Sequence, residues 1–335
     1  MLRRVENQVI VITGASSGIG RETGIRLGAR GASVVLAARN EAALHEVARV
    51  VDQLGGRAHV VVTDVAEFIQ VQRLANEAVD RFGRIDTWIN NAGVSVYGSV
   101  EHVPVEEIER VIRVNLIGMI YGVKAVLPHL KRQRQGTIIN VASVLGLRSV
   151  PLQAAYCSSK HGIKGFTDAL RMELRRDRCG INVALILPSS MNTPIFNAAR
   201  SRMRGKPKPL PPVYTPALTA EAIVFATEHP VRDLIVGDGG KLLDVAQRIS
   251  PALVDRFMLL QDRMFSQQQV NERSDGVDNL FEPIMGVGSV TGAWGKAEIS
   301  TSPYTRYVEP YPNRKRLLVA LIAAGLVALT RRGAR

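Results

Sequence analysis

Val9-Ile-Val-Ile-Thr13-Gly14-Ala-Ser-Ser-Gly18-Ile-Gly20, with a helical pattern running on to Arg30, sets the architecture expected of this 335-residue chain. Val9–Thr13 reads as a buried strand, and the glycine-rich turn leads from it straight into a helix. That order is the one in which a βα unit cradles a pyrophosphate. Glycines let the backbone approach the ligand, and the first helical turn offers N–H groups with no partner inside the helix. A glycine cluster by itself signals only a turn that needs positive φ. Its place between a first strand and a first helix makes Gly14, Ser16, Ser17, Gly18, Ile19 and Gly20 candidate phosphate-loop residues.

The second strand, Ser33–Ala38, ends in Arg39-Asn40. In such a unit the end of the second strand meets the adenosine ribose. An acid there selects a free 2′-OH and NAD, whereas an arginine pairs with a 2′-phosphate and selects NADP. No acid stands at 38–40, so NADP(H) is expected over NAD(H), with Arg39 on the phosphate. The plain alternative is a solvated charge at a strand end.

Alternation continues with helices over 41–54 and 67–82 and strands over 57–63 and 85–90. Near-continuous apolar strands between helices predict an α/β fold, a doubly wound parallel sheet covered on both faces. Asp64 and Val65 follow the third strand, at the rim where an adenine would lie. The fourth ends in Asn90-Asn91-Ala92-Gly93, small and polar where backbone must pass a cofactor. Asn115 interrupts an apolar helical face, a placement kept for a hydrogen-bond network. A strand over 181–187 ends in Pro188-Ser-Ser-Met-Asn-Thr193, and the basic, proline-rich segment to Pro216 has the composition of a mobile substrate lid. A helix over 220–228, a short strand over 234–236, a turn at 237–240 and a helical run over 247–268 close the alternation.

The chemistry concentrates between Ser143 and Lys160, around Tyr156-x-x-x-Lys160. Residues four apart share a helix face, so the phenol and the ammonium can occupy one pocket. A phenol has a pKa of about 10, and a fixed cation nearby lowers it towards the range of general acid–base work. Ser143, where a strand passes into a loop, can hold a substrate oxygen. Tyr-x-x-x-Lys alone is as well explained by an exposed helix, and gains weight only from its company.

Two cysteines exclude a disulfide framework, and six histidines without ligand spacing give no metal site. Both features fit a reducing, cytoplasmic compartment. The net charge of +13 is uneven: five cations lie in 200–208 and six in 314–335. Cations gathered in a loop and a tail point to an anionic partner such as phospholipid headgroups or a phosphate-bearing ligand, and away from nucleic acid. Residues 269–313 read as an extended, partly disordered linker after a domain over 1–268. The tail, 314–335, places thirteen apolar residues (317–329) between basic flanks. As a helix these reach about 20 Å, short of the roughly 30 Å hydrocarbon layer, so an anchor needs snorkelling arginines. The rival is a tail helix packed on protein, such as a subunit contact.

Taken together, Thr13-Gly14-x-x-x-Gly18-x-Gly20, Asp64, Asn90-Asn91-Ala92-Gly93, Asn115, Ser143 and Tyr156-x-x-x-Lys160 resemble the short-chain dehydrogenase/reductase family over about residues 5 to 265. The resemblance implies a Rossmann-type sheet of about seven strands, a nicotinamide dinucleotide and a tetrad of Asn115, Ser143, Tyr156 and Lys160. In it Ser143 and Tyr156 bind a substrate carbonyl oxygen and Tyr156 gives the proton. Lys160 lowers the tyrosine pKa and holds the nicotinamide ribose, while Asn115 positions a water. It also puts Asp64 and Val65 at the adenine, Asn91 with Ala92 and Gly93 at the cofactor's midsection, and Pro188 and Thr193 at the carboxamide. The family pattern has Gly where this chain has Ser189, and its NADP-preferring members often have a basic residue where this chain has Ser17. The expected function is hydride transfer between NADP(H) and a hydrophobic ketone, aldehyde or secondary alcohol in a homo-oligomer. The alternative is a non-catalytic NADP(H)-sensing module at a membrane.

Overall fold

The computed structural model describes residues 2–260, 269–270, 276–286, 288–295, 298–311, 313–315 and 317. β1 (Val9–Thr13) is buried along its whole length between β2 (Ser33–Ala38) and β4 (Thr87–Asn90), parallel to both. Beyond β2 lies β3 (Arg57–Val62). Beyond β4 follow β5 (Gly136–Val141), β6 (Ile181–Pro188) and β7 (Asp233–Val236), giving a seven-stranded sheet in the order β7-β6-β5-β4-β1-β2-β3. Chain order reverses between β1 and β4, and a crevice opens there at the carboxyl ends of the strands. Thr13, Asn90, Ala142 and Pro188 therefore arrive at one rim.

Helices cover both faces: α1 (Gly18–Gly28), α2 (Glu41–Gln53) and α7 (Pro216–Glu228) on one side, α3 (Phe68–Phe82), α4 (Val105–Ile112), α5 (Gly118–Gln133) and α6 (Ala154–Arg176) on the other. Each face buries its own apolar cluster, one centred on Ile10, Ile12 and Leu36, the other on Val11, Trp88 and Ile138. Successive β1 side chains serve opposite clusters because strand side chains alternate. α4 and α5 join through a π-helical turn, Arg113–Ile117. The resulting stretch Val105–Gln133 is, among the described residues, the one helix long and apolar enough to cross a membrane. Half of its most apolar window is buried in this core.

A polar chain runs beneath the rim. The Trp88 indole donates to Asn90 Oδ1 (2.7 Å), Asn90 Nδ2 to Asn140 Oδ1 (2.9 Å), and Asn140 Nδ2 to Thr167 Oγ1 (2.9 Å). All four side chains are buried and satisfied, which ties β4, β5 and α6 in one register.

Four readings of the sequence change. The turn expected at 237–240 is the start of α8 (Asp238–Ile249), capped by Gly237 at φ 101°. Tertiary contact outweighs the weak helix propensity of its glycines, for a Cβ on Gly240 would stand 2.2 Å from Ser189 Oγ. The continuous helix over 247–268 breaks at Ser250, which is extended, and restarts as α9 (Pro251–Leu260). Proline lacks the N–H for the preceding turn and disfavours helix at the residue before it.

The lid segment after Pro194 is tied down by two-residue ladders: 200–201 with 96–97, 206–207 with 269–270 and 213–214 with 298–299. The expected linker does not run free where it is described. Leu280 is fully buried, Glu309 accepts the Ile235 N–H of edge strand β7 (3.0 Å), and Thr305 accepts the Gly237 N–H (2.9 Å). The apolar tail expected over 317–329 lies outside the described residues except for Leu317.

Candidate active site

Ser143 leaves β5 as the cap of a single 3₁₀ turn, Val144–Gly146, its Oγ accepting from Leu145 N–H (3.1 Å). That turn sits hard against α6: a Cβ on Gly146 would stand 2.6 Å from the Lys160 carbonyl oxygen. Glycine there lets the serine reach the first turns of α6, where its hydroxyl, which donates to the Pro188 carbonyl (3.4 Å), lies beside the Tyr156 hydroxyl. One turn on, Lys160 is buried, its Nζ donating to the Val141 carbonyl (3.1 Å) and lying 5.4 Å from the Tyr156 ring centre.

The electrostatics depart from expectation. Desolvation raises the Tyr156 pKa well above that of a free phenol, with the neighbouring Ser143 hydroxyl opposing it. Lys160 does not offset this rise. Its ammonium is directed at a backbone carbonyl, and desolvation brings its own pKa down to about 8. Tyr156 thus keeps its proton through the neutral range, as a donor must. Tyr97, buried and missed by sequence reading, stands nearby; its own pKa is raised first by burial and then by Tyr156.

Asn115 stands behind this group. Its Oδ1 accepts from Val94 N–H (2.8 Å), and its Nδ2 donates to the Val94 carbonyl and to Ser159 Oγ, both at 3.0 Å. It does not line the main cavity. A methyl placed on Gly93 would lie 3.4 Å from Asn115 Oδ1 and 3.8 Å from Lys160 Nζ, so Gly93 keeps a corridor open between them.

One cavity of about 1060 Å³ runs from the glycine-rich loop past Ser143, Tyr156 and Lys160 to α8 and α9. It lies at the top of the roughly 300–1,000 Å³ range of small-ligand sites, room for a dinucleotide and a second molecule. Its walls include Gly14, Ser16, Ser17, Gly18, Ile19, Arg39, Asp64, Val65, Asn91, Ala92, Gly93, Pro188 and Thr193. Gly20 is the exception: it packs beneath the loop, where a Cβ would meet the Gly14 carbonyl at 2.2 Å. Asn91 ties the loop to β4, its Nδ2 donating to the Thr13 and Gly14 carbonyls (3.1 and 3.2 Å).

At the end of the cavity beside Arg39, Asp64 accepts from Ala66 N–H (2.9 Å) and from Arg110 Nη2 (2.8 Å). Burial would raise its pKa, but these bonds and the positive charges of Arg110 and Arg39 hold it below the usual carboxylate value. Arg110 was not legible in sequence; it is one arginine on a polar helix face until the fold sets it beside Asp64. Ser189, where the family has glycine, simply continues the sheet, its N–H bonding the Val236 carbonyl (2.8 Å). The far end of the cavity is apolar, with Leu210, Leu243, Ile249, Val254, Phe257 and Met258. The Ser95 hydroxyl, buried in the wall near Tyr97, has no hydrogen-bond partner among the described residues. The described residues gather no three potential metal ligands.

The basic loop also reads differently in place. Arg200 and Arg202 both bind the buried Glu107 carboxylate, and Arg200 also binds Asp278 (2.8 Å). In the tail, Lys315 pairs with Glu309 (3.3 Å) and Arg314 stacks on Tyr311. These four cations serve the chain's own acids, carbonyls and rings, which weakens the argument for an anionic partner.

A doubly wound sheet with a glycine-rich turn at its switch point, opening on a buried Ser–Tyr–Lys group, is the frame of a nucleotide-dependent oxidoreductase. Residues 8–204 match the family described as short chain dehydrogenase, and the chain belongs to that family. It is similar to an uncharacterized oxidoreductase, YxnA, of Bacillus subtilis, 37% identical over 98% of this chain and 91% of that one. Among solved structures, a metagenomic short-chain oxidoreductase in complex with NADP is 29% identical over 68% of this chain and 96% of its own, with a TM-score of 0.59. An alcohol dehydrogenase from the archaeon Thermococcus sibiricus, complexed with 5-hydroxy-NADP, is 25% identical over 68% and 95%, with a TM-score of 0.60.

Proposed function

We propose that this chain uses NADP(H) to interconvert an apolar ketone or aldehyde and its alcohol. The carrying observation is the Ser143–Tyr156 hydroxyl pair, facing the long cavity with Lys160 buried behind it. The cradle suits a dinucleotide. Gly14, Ser16, Gly18 and Ile19 line the cavity, Gly14 and Gly18 at positive φ, and Arg39 faces the cavity at the end of β2. Two structurally similar proteins whose descriptions include NADP or a derivative of it support the choice of cofactor.

Bound, the cofactor supplies or accepts the hydride. The chain's residues do the rest. The two hydroxyls bind the carbonyl oxygen and stabilise the charge that develops on it. Tyr156, protonated through the neutral range, gives its proton to that oxygen. Lys160 would hold the cofactor ribose and sets the charge beside the phenol. Asn115, Ser159 and the Val94 backbone fix the wall behind Lys160. The apolar wall from Leu210 to Met258 takes the rest of the substrate and keeps out water.

Tyr156→Phe tests the mechanism. It removes only the hydroxyl, so turnover should fall by about 10²–10⁴-fold or more while NADPH fluorescence titration stays near wild type. Wild-type rates in the mutant would sink the assignment. Tight NADPH binding without wild-type turnover, across ketones and aldehydes of graded chain length, would favour a cofactor-sensing module.

A further inference from the structure

Residues 276–286 and 288–295 cross the mouth of the cavity over its adenosine half. The segment is fastened at both ends. At one, Leu280 is fully buried, Asn279 N–H bonds the Ala198 carbonyl (2.9 Å), and Arg110 Nε bonds the Leu280 carbonyl (3.0 Å). At the other, Gly292 N–H bonds the Asn192 carbonyl and Trp294 N–H the Asn192 side chain, both at 3.1 Å.

Between these fastenings the chain touches the groups that face a dinucleotide. Arg39 donates to the Asn279 and Phe281 carbonyls, both at 2.5 Å. Asn40 Nδ2 donates to the Ile284 and Gly286 carbonyls (2.8 and 3.0 Å) while its Oδ1 caps α2. The Ser289 carbonyl accepts from Gly18 N–H (2.8 Å), and Gly288 lies so close to the glycine-rich loop that a Cβ would stand 2.0 Å from the Ser16 carbonyl oxygen.

We propose that residues 281–286 with 288–289 are a second wall of the dinucleotide site, a strap that holds the adenosine half and must lift for the cofactor to exchange. This rests on the NADP(H) reading above. The strap leaves the space beneath it open, since Pro283, Ile284, Met285 and Ser289 line the same cavity as the glycine-rich loop. It also leaves donors free. The Arg39 guanidinium has five N–H groups, and the two strap carbonyls leave three for a 2′-phosphate. Gly18 is capped by Ser289, whereas the Ile19 and Gly20 N–H groups, in the first helical turn, have no partner within the helix. Strap and cofactor can therefore be held at once. The carbonyl bonds to Arg39 set its guanidinium before the phosphate arrives, which cuts the ordering cost of binding. The middle of the strap is its exposed part, held by its carbonyls: the Phe281, Ile284 and Met285 side chains reach solvent, and Gly286 takes φ 106°.

The test is the rate of NADPH release, read by stopped-flow fluorescence on displacement with excess NADP⁺, in wild type, Gly288→Ala and Asn40→Ser. Gly288→Ala forces the strap off the loop by its Cβ. Asn40→Ser keeps a capping oxygen for α2 and removes the two-carbonyl grip. Circular dichroism melts confirm that each variant is folded, and hydrogen exchange follows the 281–289 amides with and without NADPH. Release should quicken tenfold or more in both variants, with wild-type strap amides slowed by NADPH. Unchanged release in both, or tighter binding, overturns the proposal, the latter showing an obstruction instead of a clamp. Wild-type protein that binds neither NADPH nor NADH overturns the dinucleotide reading itself, before any variant is compared.

Discussion

Lys160 and Arg39 show how far one side chain's role depends on its surroundings. A lysine that loses its proton near pH 8 is charged at neutrality and largely neutral two units higher. Carbonyl reduction at saturating NADPH should hold up to about pH 7.5 and fall through an inflection near pH 8, as the positive charge beside the phenol disappears. A stopped-flow profile that stays flat to pH 10 would show that the Lys160 charge is not needed. Arg39 is less simple than its sequence position implies. Burial lowers its pKa, and the acids Asp64 and Glu282 both lie near enough to oppose that effect. Its attraction for a 2′-phosphate is shared with these carboxylates, so the preference it confers is finite. Arg39→Asp should weaken NADPH by roughly tenfold or more, the order of one to three kcal/mol for a charge-assisted bond, and leave NADH within a few-fold. An unchanged ratio of the two dissociation constants removes the phosphate-reading role.

Among the elements, α4 carries more than its sequence discloses. Glu107 lies on it almost fully buried, and two arginines from the segment after β6 converge on its carboxylate. Burial would raise its pKa, but Arg202 and Arg200 bring it below the usual value. Since the folded pKa is depressed, this contribution is present above the unfolded value and fades as pH falls through the folded one. Both arginines reach solvent, which screens part of the attraction. Glu107→Gln should therefore cost about 1–3 kcal/mol, seen as a lower Tm. Its clearer sign would be faster proteolysis at 200–208, and equal cleavage in mutant and wild type would show that the segment is held by its ladders alone.

The whole molecule extends past the sheet. Leu280 fills the core cluster that contains Trp88, Glu309 caps the outer edge of β7, and Thr305 holds the backbone where α8 begins. A chain ended at 268, where the sequence marks the close of the domain, lacks that leucine, leaves its place in the core empty and leaves two buried N–H groups unpaired. Each lost partner costs about 1–3 kcal/mol, enough to erase much of a typical stability of roughly 5–15 kcal/mol. That chain should be insoluble or melt far below wild type. A chain ended at 317 keeps these contacts and should melt near wild type, and equal stability of the two truncations would count against an integral extension.

The sheet, the glycine-rich turn and Tyr156-x-x-x-Lys160 were legible in sequence because each depends on local order: apolar runs, glycine beside a helix start, two residues on one helix face. Ser143 and Asn91 were legible for a related reason, since each stands at a strand end and parallel strands deliver their ends to one rim. What sequence could not supply was the company of charges and the path of the extension. Lys160 turned to the Val141 carbonyl, Arg110 beside Asp64, Glu107 between Arg200 and Arg202, and Ser289 on Gly18 are contacts between residues 19 to 271 positions apart. No periodicity records such pairs, because a side chain's partner and its desolvation are fixed only when distant segments pack. Local pattern determined the scaffold and the candidate catalytic pair; packing alone decided their electrostatic surroundings and which distant residues line the cavity beside them.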